Sequence, residues 1–97
     1  MIDRRITIRP FRLGQIVSTP DALAALREAD QTPLEFLTRH AGGDWGNVSP
    51  DDAQENDLST EQGFRILSAY SLKNGTNIWI ITEADRSSTC ILLPEEY

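Results

Sequence analysis

Isoleucines 6 and 8 alternate with polar neighbours along Arg4-Arg5-Ile6-Thr7-Ile8-Arg9, the period of two expected of a half-buried strand. Pro10 ends that run or confines it to a sheet edge. A second short extended piece, Gln15-Ile16-Val17, leads into the first helix. Three helix starts follow, each with proline directly after a hydroxyl residue: Thr19-Pro20-Asp21, Thr32-Pro33-Leu34-Glu35 and Ser49-Pro50-Asp51-Asp52. Each offers a side-chain oxygen as N-cap, a proline whose missing N–H costs nothing in the first turn, and an acid near the positive helix end. Thr32 with Glu35 also spells a capping box. Ala22, Leu23, Leu26 and Ala29 share one face of the first helix, and Phe36, Leu37, His40 and Ala41 share one face of the second. The brief connection Asp30-Gln31 predicts that the two fold together as a helical hairpin, and Gly42-Gly43 stops the second.

The stretch Pro50–Asp57 has almost nothing apolar to bury and predicts one or two exposed turns, with Ser59 and Gln62 capping another short one. The last third reads as a meander. Ile66–Leu72 and Ile78–Thr82 flank Asn74-Gly75, the pair favoured in a two-residue type I′ turn, which sets Tyr70 opposite Trp79 and Ala69 opposite Ile80. Glu83–Ser87 then returns the chain into Thr89–Leu93, which Pro94 stops. The middle strand is apolar on both faces, with Ile78 and Ile80 on one and Trp79 and Ile81 on the other. The helical hairpin covers one face; the N-terminal strand, the loop carrying Trp45, or a second copy of the chain must cover the other. The expected fold is α+β: a three- or four-stranded antiparallel sheet with a helical hairpin packed on one face, as one domain over residues 1–97.

Ninety-seven residues, 39% of them apolar, allow one small core and exclude a TIM barrel or a cofactor domain joined to a substrate domain. The net charge of −6 argues against nucleic-acid binding through many phosphate contacts and gives no reason to expect attraction to anionic membranes. Its distribution is uneven. Arg4, Arg5, Arg9 and Arg12 outweigh Asp3 near the start, whereas residues 40–64 carry Asp44, Asp51, Asp52, Glu55, Asp57 and Glu61 without a lysine or arginine. Cys90 is the single cysteine, so no intrachain disulfide forms, and a reducing cytoplasm is the simplest compartment. The opening MIDRRITIRPF has no apolar stretch of a secretory signal, and no run approaches the roughly 20 residues of a membrane span.

Candidate chemistry is sparse. Glu83, Asp85 and Arg86 crowd a hairpin tip, as a recognition loop, as an acid pair for catalysis, or as an ordinary turn in which Asp85 bonds backbone amides and Arg86 pairs with an acid. Asp44-Trp45-Gly46 either presents an aromatic anchor to a partner or tucks its indole into the core. The acids Asp51, Asp52, Glu55, Asp57 and Glu61 form either a solvated face or an imitation of a phosphate backbone. His40, Asp44, Asp51 and Asp52 match neither zinc spacing nor a calcium loop, so no metal or other cofactor is expected. Arg5 and Arg9 share a strand face and allow two or three phosphate contacts at most. Cys90 lies in a strand without a base nearby, as a structural thiol does. Ser87 and Ser88 lack the strand–turn–helix setting of a nucleophile.

Three strings, Gly14–Pro20, Arg39–Gly46 and Ile80–Thr89, with the closing Leu92-Leu93-Pro94-Glu95-Glu96-Tyr97, resemble a family of small uncharacterised bacterial proteins of plasmids and integrative elements, sometimes labelled type I restriction subunit M. A methyltransferase label implies a cofactor domain, a glycine loop for S-adenosylmethionine and an Asn-Pro-Pro-aromatic motif, and the sequence has none of these. The label fits gene neighbourhood better than chemistry. The resemblance implies no catalytic residue. The resulting expectation is a non-enzymatic accessory protein of a mobile element, acting through contacts with an unidentified protein and able to pair with itself through the sheet. The alternatives are an acidic inhibitor of a host nucleic-acid enzyme and, third, a hydrolase using Glu83 and Asp85.

Overall fold

The computed structural model describes residues 10–97, so the strand expected over Arg4–Arg9 lies outside the described residues. The elements run β1 (Gln15–Ser18), α1 (Pro20–Glu28), α2 (Pro33–Ala41), α3 (Pro50–Gln62), β2 (Ile66–Ser71), β3 (Asn77–Thr82) and β4 (Ser88–Leu92), closing in a 3₁₀ turn over Pro94–Glu96. All three helix starts are capped by the hydroxyls. Thr19 accepts from the Ala22 N–H, Thr32 from Glu35 and Ser49 from Asp52, at 3.1, 3.4 and 3.1 Å. The Glu35 carboxylate takes the Gln31 side chain (3.1 Å).

The sheet order is β1-β4-β3-β2. β2, β3 and β4 are antiparallel neighbours, but β1 runs parallel to β4, with Val17 beside Cys90. The sheet is therefore mixed, which corrects the all-antiparallel expectation. β1 pairs with the last strand of the chain, and no local pattern encodes a partner that distant.

The hairpin register differs by one residue from the two-residue-turn expectation. Tyr70 lies opposite Ile78, and Ala69 opposite Trp79. The reason is the turn. A type I′ turn needs positive φ at both central residues, and here Gly75 has it (+88°) while Asn74 does not. The loop is three residues, closed by Gly75 N–H to the Leu72 carbonyl (2.9 Å) and Leu72 N–H to the Thr76 carbonyl (2.8 Å). The Asn74 side chain, accepting from the Thr76 N–H at 3.1 Å, holds this form. Since strand side chains alternate, the slip takes Trp79 off the face of Tyr70.

One face of the sheet carries Ile66, Ser68, Tyr70, Ile78, Ile80, Thr82, Thr89 and Ile91, all buried. Against it lie Ala22, Ala25, Leu26 and Ala29 around α1 and Phe36 and Leu37 of α2, which with Tyr70, Leu72, Ile78, Ile80 and Ile91 form one apolar cluster. The Phe36 and Tyr70 ring centroids are 5.3 Å apart. Burying one side chain such as Leu26 or Ile78 contributes about 1.5–3 kcal/mol. The expected helical hairpin is met to this extent: α1 and α2 follow each other closely and share one core. On the outer face the Tyr97 ring packs edge-on against Trp79 (5.5 Å), while Trp45 lies on the helix side beside His40. The C-terminal turn, rather than the Trp45 loop, thus covers part of the outer face.

α3 overturns the expectation of isolated turns, since Pro50–Gln62 is one helix of 13 residues. Polar tethers hold it instead of an apolar stripe. The Asn56 side chain donates to the Leu67 carbonyl at 2.8 Å and accepts from the Leu67 N–H at 3.2 Å. Asp57 accepts the Trp45 indole N–H at 2.8 Å.

Candidate functional site

His40, on the inward face of α2, is fully buried beneath the rings of Phe11 and Trp45, at 5.5 and 5.9 Å. Its ring bridges β2 and β3, with Nδ1 2.5 Å from Ser68 Oγ and Nε2 2.8 Å from Thr82 Oγ1. The proton order follows from the far end of the chain of bonds. The Leu13 carbonyl can only accept, so Thr89 Oγ1 donates to it at 2.7 Å and must itself accept from Thr82 Oγ1, also 2.7 Å away. Thr82 in turn accepts from His40 Nε2–H, leaving Nδ1 to accept from the Ser68 hydroxyl. Burial first, and then the charge of Arg86, lowers the His40 pKa to about 4, so the ring is neutral near pH 7. A serine beside an imidazole acceptor is the pairing of a nucleophile and its base. Here Ser68, His40, Thr82 and Thr89 are all closed off from solvent, and the chain joins α2 to three strands and the Leu13 segment. His40 is thereby separated from Asp44, Asp51 and Asp52. Among the described residues no three His, Cys, Asp or Glu side chains are placed to hold a metal ion.

Asp44 and Trp45 are used within the fold. Arg39 Nε sits 2.7 Å from Asp44 Oδ2 and holds that carboxyl below the usual carboxylate range, helped by the Gly46 N–H at 3.2 Å. The Asp44 carbonyl accepts the Tyr70 hydroxyl at 2.7 Å, and burial pushes that phenol up to about 12. Trp45 is 5% exposed, and its indole packs between Phe11 and His40.

The hairpin tip also separates. Glu83 Oε1 lies 3.8 Å from Arg65, whereas Asp85 accepts from its own turn at Ser87 N–H (3.0 Å). The two carboxylates thus have different partners, Arg65 for one and the backbone of the turn for the other. Arg86 takes a left-handed backbone (φ +61°) and turns its guanidinium inward, donating to the carbonyls of Ser59 (2.7 Å), Phe64 (2.7 Å) and Glu83 (3.1 Å), with Phe11 alongside. α3 has no basic residue in its last turn, and Arg86 brings a cation to that negative end from the β3–β4 turn. Both terminal nitrogens of Arg86 are thus engaged by backbone carbonyls, rather than by the neighbouring acid of the ordinary-turn reading. Cys90 is half-buried, and burial raises its thiol pKa, as for a structural cysteine.

The acids of α3 lie mostly on the surface. Asp51, Asp52, Glu55 and Glu61 are exposed, while half-buried Asp57 leaves the acidic face to hold Trp45. Leu58 and Phe64 are 51% and 60% exposed. Asp51, Glu55, Leu58 and Gln62 recur at helical spacing, and shallow clefts along this stripe are lined by Asp51, Glu55 and Leu58 and then by Leu58, Gln62 and Phe64. A further cleft of about 210 Å³ opens between Glu55, Asn56 and Leu67. The apolar pair went unnoticed in the sequence because Leu58 and Phe64 stand alone among polar residues. The inward polar set Ser68, Thr82 and Thr89 also escaped, although its period-two placement opposite a histidine was a usable signal.

No protein-family model, no curated protein and no solved structure matches the chain. Among the described residues no helix is long and apolar enough to cross a membrane.

Proposed function

We propose that the protein is a non-enzymatic interaction module that receives a cationic, amphipathic segment of a protein partner along α3. The observation that carries this reading is the stripe on which exposed Leu58 and Phe64 continue the line of exposed Asp51 and Glu55. Carboxylates steer and orient a basic segment, and burial of the two apolar side chains holds it. The mobile-element setting rests on the resemblance of the three strings. A second reading keeps the surface but makes the partner a nucleic-acid enzyme whose phosphate-binding groove accepts α3. It is favoured by the uniform sign of charge on this helix, which carries no lysine or arginine.

The test is a titration with a lysine- and leucine-rich helical peptide, followed by amide NMR shifts. Shifts concentrated on residues 50–64, weakened by salt and lost in Phe64→Ser and Glu55→Lys, are expected. Shifts spread elsewhere, or binding unchanged in both variants, would overturn the proposal. The second reading requires duplex DNA to compete with the protein for a captured enzyme, and the first does not.

A further inference from the structure

We propose that β1 is a pairing edge through which two copies of this chain join their sheets. Among the described residues, the two edges of the sheet are finished differently. On β2, Asn56 bonds both backbone groups of Leu67, and Ala69 donates to the Trp45 carbonyl (3.0 Å) and accepts from the Asn47 N–H (2.6 Å). On β1, Gln15 N–H donates to the Ser87 carbonyl and Thr19 N–H to the Ile91 carbonyl, both at 3.0 Å. In a parallel ladder this alternation commits residues 15, 17 and 19 to β4 and turns the N–H and C=O groups of Ile16 and Ser18 outward. Ile16 and Val17 are 49% and 41% exposed. The strand Gln15–Ser18 contains neither a charge nor a proline, the usual means of blunting an edge.

A second copy suits this edge in register and in charge. With the strands antiparallel about a two-fold axis at Val17, Ile16 of one copy lies opposite the partner's Ser18, and every outward N–H meets an outward C=O. Val17 then meets the partner's Val17 at a non-hydrogen-bonded position, where side chains approach most closely. Chains of net charge −6 repel, and an uncharged strand lets them approach. The same register sets exposed Arg12, before one end of the strand, on the side of the partner's exposed Asp21, beyond the other. A four-residue edge falls short of the roughly 1,200 Å² of a standard interface, so the dimer forms at high concentration and dissociates on dilution.

Sedimentation of the full chain up to roughly 1 mM tests this. The expected result is a mass rising towards the dimer with concentration and a strict monomer for Val17→Asp, whose fold is checked by circular dichroism. In a Cys90→Ser background, Val17→Cys is expected to oxidise to a disulfide-linked dimer and Gln15→Cys, which does not face itself, to remain uncrosslinked. A monomer at every concentration overturns the proposal, as does association untouched by Val17→Asp, which would place the contact on another face. Dimerisation only after removal of residues 1–9 also overturns it, because that segment would then be the occupant of the edge.

Discussion

Asn56 stands in for a neighbouring strand at Leu67: one side-chain amide satisfies both the carbonyl (2.8 Å) and the N–H (3.2 Å) of that residue. Asn56→Ala leaves both backbone groups without their partner on a part-buried edge, a cost of about 2 kcal/mol. Urea denaturation is expected to show that loss, and hydrogen exchange to speed up first along α3. Equal protection of α3 in the variant would show that its other tethers suffice.

His40 carries a pH dependence whose sign is fixed. Its folded pKa, about 4, lies below the ordinary 6.5, so the unfolded chain binds the proton more readily. The stability associated with neutral His40 is fully present above pH 6.5, declines as pH falls towards 4, and levels off below that after a loss of about 3 kcal/mol. His40 is the sole histidine, so its ring proton resonance reads the folded pKa directly. Titration near 6.5 in the folded protein would contradict the buried neutral ring.

Thr82→Val removes the acceptor for His40 Nε2–H and the donor to Thr89 while keeping the shape of the side chain. A stability loss of about 1–3 kcal/mol is expected, measured by thermal or chemical denaturation. Ser71→Ala, at the exposed end of the neighbouring strand β2, serves as the comparison and should change little.

Arg86 combines an unfavourable backbone with a favourable side chain. Arg86→Ala keeps the positive φ and loses the donors to Ser59, Phe64 and Glu83, so α3 should fray from its C-terminal end. Arg86→Gly loses the same donors but relieves the backbone, and is expected to be about 1 kcal/mol more stable than Arg86→Ala. Matched denaturation curves of the two variants measure the difference, and equal stabilities would deny the strain.

Gly46 and Gly75 both have positive φ, yet their surroundings differ. A Cβ at Gly46 would strike the Ala69 carbonyl and the Tyr70 ring, whereas one at Gly75 meets nothing within 4 Å. Gly75→Ala is expected to cost about 1 kcal/mol and Gly46→Ala several times more, because the second also displaces the bridge between Gly46 and Ala69. Chemical denaturation of both variants checks the ranking.

Local chemistry was legible in the sequence wherever one segment suffices. A hydroxyl before proline spells a cap whatever surrounds it, and the unbroken apolar run Ile78–Ile81 marks a strand apolar on both faces. Where two local solutions were close in energy, as at Asn74-Gly75, the turn type was not readable, and with it went the pairing of Tyr70. The acidic residues of α3 were visible as charge, but the same pattern does not tell which carboxylate is spent on Trp45 and which stays in solvent.

The sequence by itself determined the three capped helix starts, the strands of the meander and an uneven charge, because caps, turns and periodicities act over a few residues. Only the tertiary structure decided that β1 runs parallel to β4, that α3 is one continuous helix, and that His40 is a neutral member of a buried hydroxyl chain. Those features depend on groups far apart in sequence, such as Asn56 and Leu67, Arg86 and Ser59, or Leu13 and Thr89. Their hydrogen bonds become worthwhile once the apolar core has excluded water and brought them together.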